Sequence, residues 1–427
     1  MRVKHIAWNL AGLSLPLTTA ALTVPHLLNA LGGEKFGLLA LAWGLIGYAS
    51  ALDMGIGRAV TQMMARLRAT ADYTDIGEIL HTAAIITMTA GIFSGVCIAI
   101  FAMRDGYSVI NVAFVSPLEL KYSVLLLAIA LPAQAMSATY KGVNEAFQKF
   151  RGVNILRILL GILNFGGPFL VSMYTTKLHW LVFTLVASRI AALLVYRWLA
   201  FSCIRSITHD KGGSAYSSSV ARSLFKFGGW VTLSNVISPM MTQADRFLIA
   251  STISAAAVSL YVLPYEIVVQ SLILVGAITT SIFPSLAKMI VEQPQEWQSF
   301  FLKWLAIVAS TMAIACMLIA LTLPVILKIW LNTTIPEESI EIGKVLCIGV
   351  FANAVGSMFY ALLHAQSRTS TTAKIHLIEL PLYLISLIMM LDKFGPVGAA
   401  YAWVGRMIFD ALVLAYQSKN SIFQRIK

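Results

Sequence analysis

Charge is what this sequence has least of. Only 12% of its 427 residues are Asp, Glu, Lys or Arg, against about 25% in an ordinary soluble domain. So few charges cannot cover a globular surface of this size, which excludes a soluble enzyme. Acids are scarcer than bases, 19 against 31, giving a formal net charge of +12. With 58% hydrophobic residues, that excess is not the signature of a disordered or nucleic-acid-binding chain. The four cysteines (Cys97, Cys203, Cys316 and Cys347) lie far apart, so there is neither a disulfide framework nor a Cys/His metal spacing. The seven histidines are equally scattered. No G-x-x-x-x-G-K-[ST] run exists, so no ATP site is expected. Asp53-Met-Gly-Ile-Gly is only superficially a phosphate loop, because it lies in an apolar run. No metal, cofactor or catalytic residue is expected.

What is abundant is apolar sequence in long runs, with a mean hydropathy of +0.80. A spanning helix needs about 20 predominantly apolar residues. Twelve segments qualify: 8–29, 36–64, 79–101, 118–140, 153–174, 178–201, 223–250, 255–287, 299–325, 340–364, 371–391 and 395–416. The first follows a short basic start but is too long for a signal peptide and lacks a clear small-residue cleavage site, so it reads as a retained first helix. The expected fold class is therefore an all-α polytopic membrane protein of about twelve helices. Trp180 and Trp198 flank the sixth segment; at 1.5 Å per residue they stand ~27 Å apart, close to the hydrocarbon thickness. The longest polar stretch between segments, 202–222, contains Gly212-Gly-Ser-Ala-Tyr-Ser-Ser-Ser219, a linker composition. It predicts an N-terminal lobe over 1–201, a cytoplasmic linker over 202–222 and a C-terminal lobe over 223–427, each lobe with six helices. With both termini in the cytoplasm, 19 Lys and Arg fall on the cytoplasmic side and seven on the other, as the positive-inside rule asks.

Ionisable groups at bilayer depth are costly, and each needs a partner, water or a ligand. Of those inside the segments, ten are singled out: Arg58, Arg157, Arg189, Arg246, Arg406, Asp53, Asp245, Glu266, Glu379 and Asp410. Arg157 is near a helix start and can snorkel to the interface; Arg58, near the cytoplasmic end of its helix, reads equally well as interfacial. Gly398, Ala402, Arg406 and Asp410 recur every fourth residue, which allows close helix approach and an Arg406–Asp410 pair on one face. Arg189 differs, because its neighbours three and four residues away are Leu185, Val186, Ala192 and Leu193. No acid on its own helix neutralises it, so it is expected to face a cavity, another helix or an anionic ligand. Asp245 and Arg246 point about 100° apart on a helix, so one can tether while the other meets a ligand. Pro264 beside Glu266, and Glu379 beside Pro381, place an acid near a helix kink, an arrangement that suits a gate as well as a static bend. The candidate substrate-binding set is thus Arg58, Arg189, Arg246 and Arg406, and the candidate coupling or gating set is Asp53, Asp245, Glu266, Glu379 and Asp410.

Leu31-Gly-Gly-Glu-Lys-Phe-Gly37 with Ala51-Leu-Asp-Met-Gly-Ile-Gly-Arg-Ala59, and Asp245-Arg-Phe-Leu-Ile249 with Tyr261 and Pro264, resemble the first- and second-half signatures of Wzx-type polysaccharide flippases of the MATE-like (MOP) exporter superfamily. The resemblance spans essentially the whole chain. It implies V-shaped lobes around a central cavity and places Asp53, Arg58, Asp245 and Arg246 at family motif positions. It also implies a bacterial inner-membrane location. The implied substrate is an undecaprenyl-diphosphate-linked oligosaccharide, an O-antigen or related repeat unit, moved from the cytoplasmic to the periplasmic leaflet. The implied partners are that lipid-linked oligosaccharide, the bilayer, and polysaccharide polymerase and chain-length proteins. Charge chemistry agrees with such a cargo: the deep cations are five arginines and no lysine, and guanidinium forks grip phosphate oxygens bidentately. Two alternatives remain open. A MATE-type drug or metabolite exporter would use Asp53, Glu266 and Glu379 to hold cations. A membrane polysaccharide polymerase or ligase would carry catalytic groups on a large external loop, whereas the external loops here are short.

Overall fold

A computed structural model describes residues 3–48, 55–70, 73–205, 215–293, 295–332, 336–366 and 368–423. Every regular element among them is helical. The first half comprises α1 (Val3–Tyr48), α2 (Ile56–Thr70), α3 (Ile76–Met103), a short 3-10 turn (Gly106–Val109), α4 (Pro117–Ala146), α5 (Phe150–Ser172) and α6 (Leu178–Arg205). The second comprises α7 (Ser218–Thr252), α8 (Ala255–Val269), α9 (Leu272–Glu292), α10 (Trp297–Leu331), α11 (Glu337–Ala365) and α12 (Thr369–Phe423). Among the described residues, eight helices are long and apolar enough to cross a membrane. The 46 residues of α1 divide at Gly32 (φ 72°, ψ 167°) and the 55 of α12 at Gly395 (φ 57°, ψ −145°). Glycine alone adopts those positive-φ conformations without steric cost. With the second part of α1 sharing one expected span with α2, and α8 another with α9, these divisions yield about twelve crossings, the all-α polytopic class read from the sequence.

Two expected spans differ in detail. Segment 36–64 is not one continuous helix: α1 ends at Tyr48 and α2 begins at Ile56, after Gly55 at φ 68°. Segment 255–287 is interrupted at Gln270–Ser271, between α8 and α9. The interruption falls after Pro264, which stays inside α8. Likewise α12 breaks at Gly395 and not at Pro381.

The chain divides into two compact units, Met1–Pro239 and Met240–Lys427. The division lies within α7, later than the 202–222 segment, because Ala221 and Leu224 of α7 are buried in the core of the first unit. Residues 206–214 of that segment lie outside the described residues. In the first unit, α4 packs against α2, α3 and α6, while α5 packs against α1 and α6. Ile56, Val60, Ile79, Val143, Val153 and Ala200 are core residues there. The Gly32 bend of α1 is fastened nearby: the Glu34 carboxylate accepts the backbone N–H groups of Ala113, Phe114 and Val115, each at 2.9 Å. Lys35 donates to the Thr176 carbonyl at 2.9 Å and pairs with Glu119 at 3.2 Å.

In the second unit, α11 is central and packs against α8, α9, α10 and α12. The two parts of α12 fold back on each other about Gly395. A Cβ on Gly398 would collide with the Met390 carbonyl, so the small-residue stripe does permit close approach. Outward-facing residues remain apolar, as Phe93 (70% exposed), Leu321 (70%) and Ile329 (76%) illustrate. Such faces suit hydrocarbon and not water.

Candidate functional site

Three helices of the first unit each present a polar stripe at helical spacing to one cavity of about 360 Å³. From α4 come Gln134, Ser137, Ala138 and Lys141; from α5, Arg157, Leu160, Gly161 and Asn164; from α6, Arg189, Ala192 and Tyr196. Spacings of three, four and seven residues align side chains along one helix face. Small residues (Ala138, Gly161, Ala192) leave the space, and polar ones line it. The lining holds three cations and no carboxylate. Lys141 has a neighbour in Glu145 at 3.7 Å. Arg157 is exposed and, among the described residues, in no ion pair. Arg189 donates from Nη2 to Asn164 Oδ1 at 3.1 Å, while its buried Nε has no hydrogen-bond partner. Arg189 also forms no ion pair among the described residues.

The cations stand at graded depth. Lys141 is five residues from the end of α4, and Arg157 seven from the start of α5, or ~8 and ~10 Å along the axes. Arg189 is 16 residues from the end of α6, ~24 Å in. These are the three helix ends that the expected topology assigns to one side of the membrane, and from them the cavity carries positive charge towards the middle of the helices.

The second unit treats its charges differently. Arg246, 7% exposed, donates to Glu266 Oε1 at 2.9 Å and lies 5.1 Å from the Tyr265 ring centroid. Asp245, 1% exposed, accepts the Tyr261 hydroxyl and the Arg246 backbone N–H, both at 2.7 Å. Arg406 is not paired as its own helix suggested. Its Nε lies 3.7 Å from Glu379, its Nη1 donates to the Met241 carbonyl at 3.1 Å, and its guanidinium sits 5.3 Å from the Tyr383 ring. Asp410, the expected partner, is instead 3.7 Å from His376. The fold-back at Gly395 explains the exchange, because it brings Glu379 and His376 alongside the segment carrying Arg406 and Asp410.

Ligand atoms of His376, Glu379 and Asp410 lie within 4.8 Å of one another, a group of metal-binding type. The sequence spacing of the histidines concealed it, since the three residues converge only through the fold-back. Arg406 already supplies positive charge to Glu379 there, which opposes a further cation. Of the remaining sequence candidates, Arg58 is exposed in the first turn of α2 and Asp53 lies outside the described residues. Lys141, Asn164, Gln134 and Tyr196 were missed as site residues. The signal that finds them is polar side chains recurring at one face of otherwise apolar helices.

This helical architecture is that of the MATE transporters of the MOP superfamily: a multidrug resistance member in its inward-facing conformation aligns with a TM-score of 0.74 at 12% identity, over 97% of this chain and 98% of that one. The chain belongs to the polysaccharide biosynthesis protein family, which matches residues 3–290. A Shigella flexneri protein whose name assigns it to O-antigen transport is 29% identical over 415 residues, 97% of each chain. The lipopolysaccharide biosynthesis protein WzxC of Escherichia coli is 22% identical over 401 residues, covering 91% of this chain and 74% of its own. The resemblance to Wzx-type flippases drawn from the 31–59 and 245–264 motifs thus stands, and the chain is a multi-pass membrane protein of transporter type.

Proposed function

We propose that this protein is a flippase for an undecaprenyl-diphosphate-linked oligosaccharide, an O-antigen or related repeat unit, carried from the cytoplasmic to the periplasmic leaflet of the bacterial inner membrane. The observation that supports it most is the acid-free cavity lined by Lys141, Arg157 and Arg189. A lipid diphosphate brings negative charge to headgroup depth, and a guanidinium without a counter-ion is a strong phosphate ligand. The oligosaccharide cannot cross hydrocarbon unaided, since its hydroxyls would lose water without replacement. A polar, cation-lined passage supplies both needs while the polyprenyl tail stays in lipid. Among the proposed substrate-binding residues, Arg189 is the central contact, and Arg58, exposed in the first turn of α2 and not near its end as the sequence suggested, is a further candidate. Arg246 and Arg406 are paired with Glu266 and Glu379, two of the acids that a cation-exporting reading would need, which counts against that reading.

The test is Arg189→Ala in a strain lacking the native gene, scored by surface glycan normalised to protein in the membrane. Losing a charge-assisted contact costs about 1.5–3 kcal/mol, so glycan export should fall by an order of magnitude or more at normal abundance. Arg189→Lys keeps the charge without the planar fork and should retain partial export. Full export by Arg189→Ala at normal abundance would remove the residue from the site.

A further inference from the structure

We propose that Asn164 is a positioning residue that holds Arg189 with an uncharged acceptor, so that the guanidinium keeps its charge available for an anionic ligand. The inference rests on the diphosphate reading above and adds to it the residue that sets the sign of the pocket. Asn164 Oδ1 accepts from Arg189 Nη2 at 3.1 Å. The Asn164 backbone is itself fixed, because its carbonyl accepts the Trp43 indole N–H at 2.9 Å, and the Trp43 ring packs on Phe165 with centroids 4.9 Å apart. Arg189 is thereby aimed without being neutralised, and its buried Nε is left without a partner. The second unit shows the opposite solution: Arg246 and Arg406 are both held by carboxylates. A carboxylate at position 164 would have the size of the native amide and would be the stronger acceptor. Nothing in the packing requires the amide nitrogen there: among the described residues only the Oδ1 of that side chain is engaged. What distinguishes Asn from Asp at this position is charge: the amide holds Arg189 without neutralising it.

The experiment compares full-length wild type with Asn164→Asp, Asn164→Ala and Arg189→Ala. Each is purified in detergent and assayed for melting temperature and for binding of geranylgeranyl diphosphate, with inorganic pyrophosphate as a lipid-free control. Asn164→Asp should melt at or above the wild-type temperature yet bind the prenyl diphosphate about tenfold or more weakly, since it converts an available guanidinium into an ion pair. Asn164→Ala keeps the charge and loses only the aim, so its binding should fall between the two. A purely structural hydrogen bond predicts the reverse order, with Asn164→Asp the better tolerated. Binding by Asn164→Asp equal to or tighter than that by Asn164→Ala overturns the proposal. Should Asn164→Asp reach the membrane poorly, Asn164→Ala decides: binding weakened by about threefold or more at normal abundance supports the role, and unchanged binding overturns it. Unaltered binding by Arg189→Ala would instead sink the diphosphate reading itself. Pyrophosphate bound as tightly as the prenyl diphosphate would assign the pocket to free phosphates and overturn the lipid-linked ligand.

Discussion

Glu379 offers the sharpest test of how the second unit holds its charges. Its side chain is 2% exposed, its Oε1 lies 3.7 Å from Arg406 Nε, and neither carboxylate oxygen accepts a hydrogen bond. Removing it by Glu379→Ala leaves a 12%-exposed guanidinium without its counter-charge. Breaking a buried pair from one side costs about 3–5 kcal/mol. The Met241 carbonyl at 3.1 Å and the Tyr383 ring at 5.3 Å remain as partners for Arg406, so the lower end, ~3 kcal/mol, is expected. Arg406→Ala strands the carboxylate in the same way. The double variant strands neither, and it should recover at least ~2 kcal/mol relative to additivity. The assay is the thermal midpoint of detergent-extracted protein, with membrane abundance, for the wild type, both single variants and the double variant. A double variant no better than the sum of the singles would refute a structural pair. So would Glu379→Ala at wild-type abundance and midpoint with transport lost, which would return Glu379 to a coupling role.

Two further outcomes are expected. Reporter fusions at residue 210 and at the C-terminus should report a cytoplasmic location, following the 19-to-seven distribution of basic residues; alkaline phosphatase activity at either point overturns that topology. If the cargo carries two negative charges, outward movement gains ~2.3 kcal/mol per charge per 100 mV from an inside-negative potential when the full field is crossed. Proteoliposome transport should therefore rise with that potential at fixed pH, and a response to a pH gradient alone would point to compensating proton exchange.

The elements most legible in the sequence were those fixed by composition along a single helix. Twelve apolar runs announce about twelve crossings, because hydrocarbon thickness sets helix length directly. Arg189 was legible as a charge without a same-helix acid, since its i±3 and i±4 neighbours are all apolar. What could not be read were contacts made between segments. The i, i+4 spacing pairs Arg406 with Asp410, but the fold-back at Gly395 presents Glu379 and His376 to that face instead. Arg157 sits near a helix start and reads singly as interfacial, and Lys141 falls just outside its expected span, 118–140. Only the packing of α4, α5 and α6 reveals that they line the same cavity as Arg189. Prolines were a poor guide to breaks: the non-helical residues inside α1 and α12 are Gly32 and Gly395, because a membrane helix can absorb proline by re-satisfying its freed carbonyls, whereas a positive φ needs glycine.

The arrangement of arginine across the two units has a physical logic. A buried guanidinium must be neutralised, hydrated or given a ligand, and each choice fixes what the residue can do next. Carboxylate partners hold Arg246 and Arg406 in place and remove most of their pull on an external anion. A single amide acceptor at Arg189, and no ion pair for it or for Arg157 among the described residues, leave both guanidinium charges uncompensated by a carboxylate. A transporter needs that second kind of site to be limited in depth and strength, since a cargo held too tightly is not released. On the proposed reading, three cations spread over ~8 to ~24 Å of helix length, with the deepest held by one neutral acceptor at 3.1 Å, would attract a diphosphate progressively without enclosing it in a matched ion cage. On this reasoning the number of uncompensated arginines, and not the total of buried charges, sets the affinity for cargo. Adding a carboxylate to the lining should weaken capture more than deleting any cation already paired in the second unit.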